Sequence, residues 1–377
     1  MKAAFVTDMH FGYRRFEEDA LSQGREAILS AAREADILIL GGDNFDVPLP
    51  RMETIAQVTG ILREALAIFH GRGIAGTPIF ALHGNHDRRA KGFVHPTELL
   101  AQGGFLQNFH NKTVVYEHNG ERIALSGMGN VPDDLAHTAL SQLSCKPVSG
   151  TFNIFVLHQS FKEFDVSGNE RLISFDDLPE GYSLYLCGHV HKPSLAGKVL
   201  NPGSTVVTQL REDETGARGW LLYDTIAKKA EFKEINARKL FHETLNFNEA
   251  TPTQIRAAAE QRAKELVLRA PSCLVKLILK GTIAKGFGTA DLRIPPLAPN
   301  IFIDSSMESE NFRERIEKIK QAREKKLGSY EQGMSLLRSK LEGTSYSLGD
   351  PEKTFAQLLA GTFLEETRKK IEGKPSS

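Results

Sequence analysis

Asp8 and His10 stand two apart directly after the apolar run 3–7. Side chains two apart on an extended chain face the same way, so this pair can grip one cation. The run 36–40 leads into Gly41-Gly42-Asp43, where two glycines permit a tight turn that sets a carboxylate just past a strand. After 78–82 come Gly84-Asn85-His86-Asp87: a neutral oxygen ligand, an imidazole, and a carboxylate able to orient that imidazole. The run 153–157 ends at His158, and 183–187 ends in Gly188-His189-Val190-His191, again two imidazoles at spacing two. Each group alone has an ordinary explanation, such as an N-cap or a surface histidine. Independent accidents would not all fall directly after a short buried strand.

Asp8, His10, Asp43, Asn85, His158, His189 and His191 are too many donors for one tetrahedral zinc, and none is a cysteine. The mixture of N and O donors suits two divalent metal ions, Mn²⁺ first, with Fe and Zn as alternatives. Asp43 is the natural bridge, because one carboxylate can hold two ions roughly 3.5–4 Å apart. Two such ions generate a water nucleophile near neutral pH and clamp phosphoryl oxygens, so the expected chemistry is phosphoester hydrolysis. His86 is not needed to fill a coordination shell. It is expected to stabilise or protonate the leaving oxygen, with Asp87 fixing its tautomer.

The five apolar runs read as buried strands. Between them, 16–35 and 54–69 carry apolar residues at helical spacing, among them Ala27, Ile28 and Ala31, then Val58, Leu62 and Leu66. Strand, helix, strand, helix predicts an α/β layer fold whose functional edge lies at the carboxyl ends of the strands. The texture changes near residue 240. Alternation over 241–247, a helix opened by Thr251-Pro252-Thr253-Gln254, and strands at 275–279 and 300–304 predict a small α/β domain. The expected domains are therefore 1–239, which carries the site, then a capping unit at 240–308 and a helical tail at 309–377. In that tail a basic helix is expected over 313–326. A second helix, about 352–371, carries the stripe Phe355, Leu358, Leu359 and Phe363.

Lys+Arg 47 equals Asp+Glu 47, so any polyanion must be held by a local patch or by metal rather than by net charge. Arg88, Arg89 and Lys91 follow the third strand-end group and are candidates for a DNA phosphate. Three separated cysteines encode neither a disulfide framework nor a cysteine zinc site. No leader and no apolar run near 18 residues is seen, which predicts a cytoplasmic protein without a membrane span. The sequence lacks a P-loop. Of the remaining histidines, His70, His95, His110, His118, His137 and His242 follow no strand-end rule, and His83 lies within the turn as a weaker candidate for phosphate contact.

Asp8-x-His10, Gly42-Asp43, Gly84-Asn85-His86-Asp87, His158 and Gly188-His189-x-His191 resemble the five-part signature of the calcineurin-like metallophosphoesterases. Residues 42–46, 84–88, 156–159, 177–182 and 201–208 are similar to the nuclease subunit of the double-strand-break repair complex, the Mre-eleven/SbcD type. The likeness covers residues 1 to about 225, and the order of capping domain and helical tail is similar in layout. It implies a β-sandwich flanked by helices, Mn²⁺-dependent DNA exonuclease and endonuclease activity, homodimerisation, and an SMC-like coiled-coil ATPase partner of the SbcC type. In a prokaryote it implies a nucleoid-associated location. The resemblance also divides the ligands: one ion takes Asp8, His10, Asp43 and His191, the other Asp43, Asn85, His158 and His189. Many members carry His where this chain has Asp46, a position tied to strand placement. Two alternatives compete with this reading. One is a phosphodiesterase or phosphatase for small esters, which would have little use for the long extension. The other is a scaffold bridging ATPase subunits and DNA ends, for which an intact ligand set is a costly ornament.

Overall fold

A computed structural model of the protein describes residues 1–309, apart from 91, 165–168 and 196, together with 331, 333–336, 355 and 356. The elements run β1 (Lys2–Val6), α1 (Glu17–Glu34), β2 (Ile37–Leu40), α2 (Met52–Gly71), β3 (Ile79–Ala81), α3 (Pro96–Gln102) and β4 (Gln107–Asn108). Next come β5 (Thr113–His118), β6 (Glu121–Met128), α4 (Asp133–Ser141), β7 (Phe152–His158), β8 (Leu184–Gly188), β9 (Val199–Leu200), β10 (Gly219–Asp224) and β11 (Lys229–Glu234). The last are β12 (Leu240–Ala250), α5 (Pro252–Arg269), β13 (Leu274–Ile283) and β14 (Ile301–Glu308).

Two stacked sheets form the β-sandwich that the resemblance implies. One has the order β11-β10-β1-β2-β3-β4 and the other β5-β6-β7-β8-β9. In the first, β1 to β4 run parallel and β10 closes antiparallel to β1. In the second, β6 to β9 run parallel behind the β5–β6 hairpin, which turns at Asn119-Gly120 with both residues at positive φ.

Alternation along β1 explains the packing. Ala4 and Val6 join Ala27, Ile28 and Leu62 under α1 and α2, whereas Ala3 and Phe5 meet Ile123, Leu125, Ile154 and Leu186 of the second sheet. Both faces of β1 are buried, so the strand reads as a continuous apolar run rather than an alternating one. On the far side of the second sheet Phe155, Leu157 and Tyr185 pack against Ala136 and Leu140 of α4. The layers are helix, sheet, sheet, helix. Each fully buried large side chain in them is worth roughly 1.5–3 kcal/mol.

The capping box expected at the start of α5 forms: Gln254 Oε1 accepts from the Thr251 amide at 2.9 Å, and Thr251 Oγ1 accepts from the Gln254 amide at 3.3 Å. The chain has two compact units. The first comprises Met1–Thr244, Ala259–Ile278 and Pro295–Asp304, and the second Leu245–Ala258, Leu279–Ile294 and the described part of 305–377. The segment 240–308 is thus shared between them. Most of the predicted tail, including the basic helix 313–326 and Leu358, Leu359 and Phe363, lies outside the described residues. Among the described residues no helix is long and apolar enough to cross a membrane.

Candidate metal centre

All seven predicted donors lie in the first unit, at the carboxyl ends of strands from both sheets. Asp8 and His10 leave β1, Asp43 leaves β2 and Asn85 leaves β3, while His158 ends β7 and His189 and His191 follow β8. The exits of β1 and β2 are laced together, with the His10 amide donating to the Asp43 carbonyl and the Asp8 amide to that of Gly42. Asp8, His10, Asp43 and His189 all take positive φ, between 45° and 90°. Such backbone costs roughly 1–3 kcal/mol per residue and persists only where the surroundings dictate it. Glycine is required where these turns touch. A Cβ at Gly84 would overlap the Asp43 carboxylate, and one at Gly42, itself at φ 105°, would overlap His158.

Three groups of ligand atoms lie within 4.8 Å of one another: Asp8, His10 and His191; Asp43, His158 and His189; and, at the rim between them, His10, Asp43 and His86. Asp43 faces both of the first two. Its Oδ2 lies 3.3 Å from His158 Nε2 and 3.9 Å from His10 Nε2, and its Oδ1 accepts from the His86 amide at 2.8 Å. Asn85 Oδ1 completes the second cluster, 2.7 Å from His189 Nδ1 and 3.2 Å from His158 Nε2.

Hydrogen bonds behind the rings assign their tautomers. Nδ1 of His158 donates to the Gly41 carbonyl at 2.8 Å, that of His10 to Asp46 Oδ1 at 3.2 Å, and that of His191 to Glu214 Oε1 at 3.2 Å. Their Nε2 lone pairs therefore point inward. His10 Nε2 and His191 Nε2 face each other at 3.2 Å, acceptor against acceptor, and His158 Nε2 confronts the oxygens of Asp43 and Asn85. Acceptors packed this way call for cations between them, which is the donor set that divalent metal requires. Without an ion the cluster draws protons. Burial opposes charge on His158, but Asp43 and Asp8 outweigh it and push the imidazole up to about 9. Burial likewise opposes ionisation of Asp43, yet His158, then His10 and His86, hold its carboxyl far below the usual range. His189 goes the other way, down to about 4, through burial and the neighbouring His158.

His86 sits at the rim, half-exposed, and its orienting group is not the expected one. Its Nδ1 lies 3.0 Å from the Asp46 carbonyl and 3.4 Å from Asp46 Oδ1. Asp87 is fully buried and instead accepts from the backbone amides of Gly84, Asn44 and Phe45, so it staples two turns together. Bonded to Asp46 in this way, His86 is raised to about 9. Asp46, considered above for strand placement, is occupied by His10 and His86. Arg89 is also engaged in its own loop, over the Phe93 ring and bonded to the Val94 carbonyl, while Arg88 is half-buried nearby. Lys91 lies outside the described residues. His83 cannot meet a phosphate: it is 4% exposed, stacked on His95 at 4.3 Å, and held neutral by burial.

Residues that the sequence reading passed over line up behind the ligands. Buried Glu214 and Arg218 and half-buried Thr208 form a group on His191, with Thr208 Oγ1 2.9 Å from its Nδ1. A groove of roughly 720 Å³ opens over the centre, lined also by Tyr13, Phe164, Lys192 and Arg211.

A sandwich with histidines and carboxylates at the strand ends of both sheets is the arrangement of a metallophosphoesterase. The model for the calcineurin-like phosphoesterases matches residues 1–193, and the chain belongs to that family. Among curated proteins it is similar to the DNA double-strand break repair protein Mre11 of Archaeoglobus fulgidus, 30% identical over an alignment 278 positions long that covers 64% of this chain and 60% of that one. The Methanopyrus kandleri protein of the same name is 26% identical, covering 59% of this chain and 54% of its own length. The double-strand break repair protein mre-11 of Caenorhabditis elegans is 27% identical, covering 62% and 40%. The chain thus spans between 40% and 60% of the length of these relatives.

Proposed function

We propose that this chain is a DNA exonuclease and endonuclease of double-strand break repair, hydrolysing phosphodiesters at a centre of two divalent ions, Mn²⁺ by preference. The observation that carries this reading is the convergence of inward-facing acceptors from both sheets around Asp43. When bound, two ions would supply an activated water and neutralise charge developing on the phosphoryl oxygens. One would be held by Asp8, His10, Asp43 and His191, the other by Asp43, Asn85, His158 and His189. His86 holds a proton at its outer nitrogen, ready for the leaving oxygen, because Asp46 occupies the inner one. Lys192 and Arg211 line the groove and are suited to a phosphate backbone. The names of the relatives support repair of broken DNA as the setting.

Partners belong to the same proposal: DNA, a second copy of the chain, and an SMC-like coiled-coil ATPase of the SbcC type. Leu49, Met52 and Phe93, which are 70%, 78% and 58% exposed, lie on segments that leave the Asp46 and His86 turns and suit a homodimer contact. Segment 240–308 would cap the DNA, and 309–377 would reach the ATPase.

Hydrolysis in Mn²⁺ of double-stranded DNA, single-stranded DNA and a small chromogenic phosphodiester, with and without the ATPase, tests the proposal. Cleavage of DNA is expected. Hydrolysis of the small ester alone would replace it with a small-substrate phosphodiesterase, and DNA bridging without hydrolysis would replace it with a scaffold.

A further inference from the structure

The rings of the two clusters are held from behind by different chemistry. His158 leans on a neutral peptide dipole, the Gly41 carbonyl. His10 leans on the Asp46 carboxylate, and His191 on the Glu214 carboxylate at 3.2 Å and the Thr208 hydroxyl at 2.9 Å. Asp46, behind His10, is partly exposed and shared with His86. Glu214 is 2% exposed and fixed from every side. Its Oε2 pairs with Arg218 Nη2 at 3.0 Å and accepts from the Thr208 amide at 2.9 Å; its Oε1 accepts from the Gln209 amide and the Thr208 hydroxyl at 3.2 Å and from His191 at 3.2 Å. Arg218 is itself buried, and donates further to the Glu214 and Ser204 carbonyls and to the Ser204 hydroxyl.

A buried ion pair adds little to stability once its desolvation is counted, so packing does not account for this one. What it does achieve is a carboxylate that stays charged while out of water. The Arg218 guanidinium at 3.0 Å, the Thr208 and Gln209 amides and the Thr208 hydroxyl supply the donors that such a carboxylate needs. A charged acceptor behind an imidazole fixes the ring and raises the basicity of its far nitrogen, more than a peptide carbonyl does.

We propose that Glu214, braced by Arg218, is the positioning residue of the His10–His191 half, and that it sets the strength of metal binding in that half alone. The two subsites then hold their ions unequally, and the carboxylate-backed one holds its ion more tightly. This rests on the dinuclear reading above.

Titration of the full chain with Mn²⁺ alone, followed by calorimetry and by electron paramagnetic resonance, tests it without any turnover. The wild-type protein is expected to bind two ions with distinct affinities. Glu214→Gln keeps the volume and can still accept a hydrogen bond. It is expected to weaken one ion by roughly 10–100-fold, the usual worth of a ligand-orienting carboxylate, and to leave the other unchanged. Should that variant not fold, Glu214→Asp keeps the charge but withdraws it from His191, and is expected to weaken the same single ion. Unchanged affinity for both ions in the folded variant overturns the assignment, because a spacer would be served equally by Gln. Equal weakening of both ions also overturns it. A wild-type protein that binds fewer than two ions overturns the dinuclear reading beneath it, and the assignment with it.

Discussion

The two halves of the metal centre are built on different foundations. The His158 half stands on the framework itself: His158 is the last residue of β7, its ring is pinned to the Gly41 carbonyl, and Gly42 and Gly188 pack against that ring with no room for a side chain. The His10–His191 half stands on loops, and its rings are aimed by the carboxylates of Asp46 and Glu214. Strand ends position a ligand by backbone geometry, whereas loops need charged second partners to reach similar precision. Asp43 belongs to both, which makes it the sharpest tool for testing whether the halves act together.

Asp43→Ala is expected to have the largest effect, abolishing hydrolysis and the binding of both ions while leaving the sandwich folded; elemental analysis of the purified variant decides it. Two ions retained would show that the halves do not share this carboxylate. His86→Ala should spare both halves, keep metal and DNA affinity, and lower the rate by roughly 10²–10⁴-fold in a single-turnover assay. Metal loss there would move His86 into the ligand set. Gly188→Ala should act chiefly on the framework half, because its Cβ would overlap the Gly41 carbonyl and His158 as well as the Thr7 hydroxyl. A stability loss of about 1–3 kcal/mol by denaturant titration is expected, together with weaker binding of one ion. Thr208→Val should have the smallest effect, removing one hydroxyl from His191 and Glu214 and costing about 0.5–1.5 kcal/mol of affinity in the loop-borne half by calorimetry.

The framework half was the easier to read in the sequence. Buried parallel strands leave continuous apolar runs, and a run that stops at Gly-Gly-Asp or at His marks both an element and its chemistry. The second sheet was harder to place, because the runs before His158 and His189 look like those of the first sheet, and nothing local says which strand pairs with which. The edge strands β5 and β11 are open on one face and carry polar residues there, so they lack the continuous apolar run that marks a strand buried on both faces. Glu214 lies in Arg211-Glu212-Asp213-Glu214, which reads as a solvated charged stretch; only the fold turns one of its carboxylates inward. Asp87 departs from the expectation for a related reason. Adjacency to His86 suggested a partner, yet successive side chains diverge, and the carboxylate serves the backbone of the neighbouring turn.

Electron paramagnetic resonance of the protein loaded with two equivalents of Mn²⁺ tests the central claim most directly, because exchange coupling between the ions reports a bridging ligand. A coupled-pair spectrum in the wild-type protein that is lost in Asp43→Asn is the result expected of two halves joined at Asp43. A spectrum of isolated ions in the wild-type protein, or a coupled pair that survives Asp43→Asn, would contradict it.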